Sequence, residues 1–138
     1  MTPYFSVVID NYNYGRYLAQ AVDSVLAQDF PARETEIIVV DDGSTDDSRR
    51  VLDRYKGKIN ALLQENRGQA GAFAAGFAAL KGQVVCLLDS DDYWEPGKLS
   101  AVARRLEDRS ADIVQHYQRD VDAEGRPLKN IMCVWPET

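Results

Sequence analysis

Three carboxylates in four positions, Asp89, Asp91 and Asp92, follow at once on the apolar run Val84-Val85-Cys86-Leu87-Leu88. Such a run predicts a strand buried on both faces, the habit of parallel sheets. The acids cannot share that burial, because an unpaired ionised carboxylate is costly to desolvate. They belong just past the strand's carboxyl end, where open α/β sheets bind ligands. In Asp89-Ser90-Asp91 the two acids occupy alternate positions of extended chain, so both can face one ion. Hard cations such as Mg²⁺ or Mn²⁺ prefer these oxygen donors and keep positions open for phosphate oxygens. A metal bridging a diphosphate stabilises charge on a departing group. The plainer alternative is a solvated turn capping the next helix through Asp92. The motif alone does not decide, and its place after a buried strand favours a ligand.

A second acidic pair, Asp41-Asp42, ends the apolar run Glu36-Ile37-Ile38-Val39-Val40. An Asp or Ser before a helix is most often a cap, yet an acid past a strand end also accepts hydrogen bonds from a base N–H or a ribose hydroxyl. A phosphoacceptor pocket of the response-regulator kind would want its acid pair after the first strand, where only Asp10 stands. Tyr12 and Tyr14 could stack on a base, and packing of the loop is as good a reading for Tyr14. Trp94 reads as an anchor for the loop behind the acids, and His116 as a structural residue in a strand. No Gly-rich dinucleotide fingerprint, P-loop or Ser/His/Asp set is present.

The elements that must position these residues follow from periodicity. Tyr4 to Ile9 predicts a first strand ending in the loop Asp10 to Gly15. Apolar positions Tyr17, Leu18, Ala21, Val22, Val25 and Leu26 predict an amphipathic helix. The second strand leads through Gly43 to a helix with Val51, Leu52 and Tyr55 on its apolar face and a Ser44–Asp47 capping box at its start. Ile59 to Gln64 is a weaker strand. A helix through Ala70, Phe73, Ala74, Phe77 and Leu80 follows, its Gly71 and Gly76 suited to close packing on a sheet or a ligand. After the acidic strand, Glu95 and Pro96 predict the cap and first residue of a fourth helix with Leu99, Val102, Ala103 and Leu106 inward and Arg104, Arg105 and Arg109 near its end. Ile113 to Tyr117 reads as a strand, and Asp122-Ala123-Glu124-Gly125 as a hairpin turn into Leu128 to Val134. The order implies a mainly parallel sheet with right-handed crossovers, strands one, two and four converging their polar ends on one edge.

With 138 residues, 45% apolar and 28% charged, the chain suits one globular domain, residues 1–138. Sixteen basic against twenty-two acidic residues, net −6, argue against a nucleic-acid surface. The two cysteines, Cys86 and Cys133, make no zinc framework and read as small core residues. No stretch approaches a membrane span and the N-terminus lacks a signal peptide's apolar run, so the expected location is cytoplasmic or peripheral to the inner face of the membrane.

Taken together, the chain resembles the N-terminal, nucleotide-sugar-binding half of inverting GT-A glycosyltransferases of family 2. The resemblance rests on Ser6 to Asn13 with Tyr17-Leu18, Ala21 to Gln28, Glu36 to Ser48, Glu65 to Gly82 and Leu87 to Leu99, in the family's order and spacing. It implies a Rossmann-like GT-A fold truncated at the C-terminus, with a UDP- or dTDP-sugar donor. Asp10 and Tyr12 would meet the base, Asp42 would read it, and Gln69 would contact the nucleotide. Asp89-Ser90-Asp91 would be the DxD motif, with Asp91 on a Mg²⁺ or Mn²⁺ ion and Asp89 on ribose or metal. The partners implied are the donor and, in a full-length protein of polysaccharide biosynthesis, a saccharide or lipid-linked acceptor; a homodimer is left open. The family commonly has Pro-Thr where Asp10-Asn11 stands and Arg-Asn where Phe73-Ala74 stands. Its acceptor half and general base are not found in this chain. A domain that binds nucleotide sugar without transferring it is therefore the alternative, and a nucleotidyltransferase a more distant one.

Overall fold

The computed structural model describes residues 2–107, 112–116 and 118–128. Its contacts divide the chain into two compact units, Met1–Ala101 and Val102–Thr138. The first contains β1 (Phe5–Asn11), α1 (Gly15–Leu26), a 3-10 turn (Ala32–Glu34), β2 (Thr35–Asp42), α2 (Ser48–Asp53), β3 (Asn60–Gln64), α3 (Gly68–Ala78), β4 (Val84–Asp89) and the start of α4 (Lys98–Glu107). The four strands form one sheet in the order β3-β2-β1-β4, and every pairing is parallel. The expected parallel sheet with helical crossovers is therefore present.

Register and alternation sort the side chains onto two faces. Phe5, Val7 and Ile9 of β1 align with Thr35, Ile37 and Val39 of β2 and with Val84, Cys86 and Leu88 of β4. On the opposite face, Val8, Ile38 and Val40 form a buried cluster with Ala72 of α3, backed by Leu62, Phe73, Ala75, Ala79 and Leu80. The small residues of α3 have a packing reason. A Cβ on Gly76 would lie 2.5 Å from Val8 Cγ1 and 3.4 Å from Val40 Cγ2, so the helix rests directly on the sheet. At the amino edge, Glu36 accepts hydrogen bonds from the Ser6 hydroxyl and from the backbone N–H groups of Lys81 (2.6 Å) and Gly82 (3.1 Å). That carboxylate fixes the turn that aims β4.

Several expectations change. Val85 and Leu87 are 40% and 48% exposed, so β4 is not buried on both faces. It ends the sheet among the described strands, and α3 lies over β1 and β2. Helix α4 begins at Lys98 rather than Pro96, because Gly97 at φ 83° turns the chain out of helical geometry just before it. Of its expected stripe only Leu99 is fully buried. The Ser44–Asp47 box does not form: α2 starts at Ser48 without a side-chain cap bond from its Asp47 N-cap, and Ser44 is bonded elsewhere.

In the second unit, residues 112–116 make no strand and Ile113 is 86% exposed, so this β-prone run pairs with no strand among the described residues. His116 therefore sits exposed in irregular chain. The hairpin turn is present: Gly125 N–H donates to Asp122 O at 2.9 Å, and Val121 pairs antiparallel with Pro127. Arg109, Tyr117, Cys133 and the strand expected beyond Leu128 lie outside the described residues. No helix among the described residues is long and apolar enough to cross a membrane.

Overpacking at the α3–sheet contact gives a direct check. Gly76→Ala should lower unfolding stability by about 1–3 kcal/mol, whereas Ala78→Lys on the exposed side of α3 should stay within about 0.5 kcal/mol, read by denaturant titration.

Candidate functional site

The carboxyl ends of β1, β2 and β4 meet on one edge, and alternation decides which acids share a face. Asp10 is aligned with Asp89 across the β1–β4 ladder. Both follow Val8 and Leu87 by two residues, which puts them on the α3 face; Asp42, two residues past Val40, joins them. Asp41 falls on the other face with Asn11.

Asp10, Asp89 and Gln69 form one polar group. Gln69, in the first turn of α3, donates through Nε2 to Asp10 Oδ2 at 3.1 Å and to Asp89 Oδ1 at 3.4 Å. Asp10 Oδ1 is buried and accepts no hydrogen bond. Burial raises the Asp10 carboxyl, the Gln69 bond offsets part of this, and the adjacent Asp89 carboxylate raises it further, to about 6. Two carboxylates held side by side with one neutral donor between them leave negative charge uncompensated.

Asp42 is almost fully buried, yet its Oδ1 accepts from Gln64 Nε2 (2.6 Å) and from Arg67 N–H (2.8 Å). Those bonds fix the carboxylate plane. Gln64 and Arg67 escaped the sequence reading; the parallel β2–β3 pairing that puts Gln64 opposite Asp42 is the signal that reveals the first. Tyr12 and Tyr14 are both substantially exposed in the β1–α1 loop.

Asp89, at the end of β4, is exposed; beyond it Ser90 is buried while Asp91 and Asp92 are exposed. This loop is tied to α1. Trp94 is buried and its backbone N–H donates to Ser24 Oγ at 3.1 Å, in keeping with the anchoring role expected of it. Gln28 donates to Glu95 O at 3.0 Å and accepts from Leu99 N–H at 3.1 Å, supplying the cap that Glu95 was expected to give. Ser24 of α1 and Gln28 just past it thus hold the acidic loop to the end of that helix. Lys98 lies over the Trp94 ring, 4.7 Å from its centroid, and burial, partly offset by Cys86 and Asp92, brings its ammonium down to about 8. Burial pushes the Cys86 thiol up to about 11, so it is no nucleophile at neutral pH.

The β1–α1 and β2–α2 loops are also bonded to each other. Ser44 Oγ accepts from Asn11 Nδ2 (3.1 Å) and Asn13 N–H (2.9 Å), and Ser44 N–H donates to Asp41 Oδ1 (2.8 Å). Asp46 accepts from Gly15 N–H at 2.9 Å and from the Ser48 N–H and hydroxyl. Slight burial pushes its carboxyl up, and these bonds outweigh that to hold it below the ordinary value.

Among the described residues no three His, Cys, Asp or Glu side chains gather as a complete metal cage. One or two carboxylates completed by phosphate oxygens is, however, the usual mode for Mg²⁺-like ions. Asp89, with Asp91 two residues on, fits that mode, and the unpartnered buried oxygen of Asp10 lies beside Asp89 across the ladder.

The Asp10 shift has a consequence for the metal-free protein. A carboxyl raised from 3.8 to about 6 on folding contributes stability that is present below about pH 4 and is lost as pH rises through 6. In EDTA, the melting temperature of Asp10→Asn should gain on that of the parent between pH 4 and pH 7; a constant difference across that range would contradict the assignment.

The model of the family described as glycosyl transferase family 2 matches residues 6–134. An uncharacterised glycosyltransferase of a Nostoc species is 44% identical over 136 residues, which are 96% of this chain and 42% of that protein. The crystal structure of Staphylococcus aureus TarS residues 1–349 with UDP-GlcNAc is 30% identical, with a TM-score of 0.69 over 76% of this chain and 31% of that one. A mannosyltransferase of Pyrobaculum calidifontis, in complex with GDP-Man and Mn²⁺, is 26% identical with a TM-score of 0.65, over 76% of this chain and 32% of that one. The chain spans less than half the length of the proteins it matches here, and the solved structures among them have the GT-A fold. The chain belongs to glycosyl transferase family 2.

Proposed function

We propose that residues 1–138 are the donor-binding part of an inverting, metal-dependent glycosyltransferase that uses a UDP- or dTDP-sugar. The observation that carries the reading is the gathering of Asp10, Asp42, Asp89 and Gln69 on one face of the sheet edge. The neighbours complexed with UDP-GlcNAc, or with GDP-Man and Mn²⁺, support it.

In this reading Tyr12 stacks on the base and Asp42 reads its edge. One Asp42 oxygen is occupied by Gln64 and Arg67 N–H, which leaves the other to accept a base N–H. An acceptor there favours uracil or thymine, which present N3–H, over cytosine, whose N3 is itself an acceptor. Gln69 has an amide oxygen besides the Nε2 it gives to the two acids, and contacts the nucleotide near the ribose. Asp89 and Ser90 border the ribose and diphosphate, and Asp91 with Asp89 ligates Mg²⁺ or Mn²⁺. The bound ion would neutralise the diphosphate as the sugar leaves it. Inversion follows when an acceptor hydroxyl, of a saccharide or a lipid-linked acceptor, attacks the anomeric carbon opposite the diphosphate. None of the residues assigned here is the base that deprotonates that hydroxyl.

Calorimetric titration tests this. UDP and dTDP should bind more tightly than CDP, and only with Mn²⁺ present at full strength; equal or metal-independent binding would contradict the donor site. Asp91→Asn should cost about tenfold or more in Mn²⁺-dependent affinity, the scale of a lost charged contact. Asp42→Asn should narrow the preference for UDP over CDP while leaving the Mn²⁺ dependence intact.

A further inference from the structure

Tyr12 and Asp42 lie on different loops, yet a base stacked on one and read by the other needs them at a fixed separation. The two loops are tied together through Asn13. Asn13 adopts φ 58°, the left-handed region, which Asn tolerates better than most residues. That conformation turns its Oδ1 toward the neighbouring loop, where it accepts from Thr45 N–H (2.8 Å), Thr45 Oγ1 (3.3 Å) and Asp46 N–H (3.3 Å). Its own N–H is held by Ser44 Oγ. Backbone approach two residues on is equally close: a Cβ on Gly15 would stand 2.8 Å from Ser48 N. Asn13 directly follows Tyr12, and Ser44 to Asp46 follow Asp42 by two to four residues.

We infer that Asn13 is a positioning residue for base selection: its side-chain oxygen locks the tyrosine loop to the acid loop and so sets the spacing between Tyr12 and Asp42. The inference rests on the donor-site reading above. Asn13 touches neither nucleotide nor metal in this account and acts only through its neighbours. Since Asn13, Thr45 and Asp46 are exposed, water replaces the lost bonds at little cost to the fold, and the effect falls on recognition.

Two variants separate the oxygen from the backbone. Asn13→Gly keeps the left-handed conformation and removes the acceptor; Asn13→Asp keeps both. In Asn13→Gly, hydrogen exchange at the Thr45 and Asp46 amides should speed up with the melting temperature nearly unchanged. Its UDP affinity in Mn²⁺ should fall about tenfold, one hydrogen-bond network's worth, and its preference for UDP over CDP should narrow. Asn13→Asp should restore all three. Ser44→Ala, which removes the second anchor, should act in the same direction as Asn13→Gly. Parent-like binding and exchange in Asn13→Gly overturns the positioning role alone. An Asn13→Asp as impaired as Asn13→Gly overturns it too. A parent chain that binds no nucleotide overturns the donor reading and this inference together.

Discussion

Asp10 and Asp89 are register partners on adjacent parallel strands, and their side chains share a face with Gln69 Nε2 donating to both. Like charges that close repel unless one takes a proton or a cation joins them. β1 cannot move to relieve this, because it is paired with β2 on one side and β4 on the other from Phe5 to Asp10. Burial and the adjacent Asp89 carboxylate raise the Asp10 carboxyl to about 6, and the proposed donor site would add a divalent ion beside it, on Asp89 and Asp91. The need to neutralise that pair is the constraint on which the proposed donor site is built.

The rest of the unit holds the edge still. Gly76 lets α3 rest on Val8 and Val40, which sets Gln69 at the height of the acids. Glu36 gathers Ser6, Lys81 and Gly82 and so aims β4 from its other end. Ser24 of α1 and Gln28 just past that helix tie down the loop that carries Asp91. Rigid strands supply the acids, while the residues that tune their spacing come from the loops, a division common to sites at the carboxyl edge of open sheets.

Much of this was legible in the chain. Apolar runs stopped by acids mark β1, β2 and β4, and the helical spacing of Leu18, Ala21, Val22 and Val25 marks α1. The face on which each acid falls was not legible, since Asp41 and Asp42 look alike until the ladder register separates them. Ser44 looked like a helix cap because caps depend on local pattern, whereas its partners Asn11 and Asn13 are more than thirty residues away. Val85 and Leu87 looked doubly buried because an apolar run cannot say which strand ends the sheet. Gln64 and Arg67 carry no motif of their own; they matter only because β3 lies beside β2.

Paramagnetic broadening by Mn²⁺ in the presence of UDP reads the location of the ion without relying on turnover. Amide resonances of the β4 end, Asp89 to Asp91, and of the β1 end around Asp10 should broaden first, while those of the amino edge around Glu36 stay sharp. Broadening that is absent, or that centres anywhere other than the Asp10–Asp89 edge, would contradict the account.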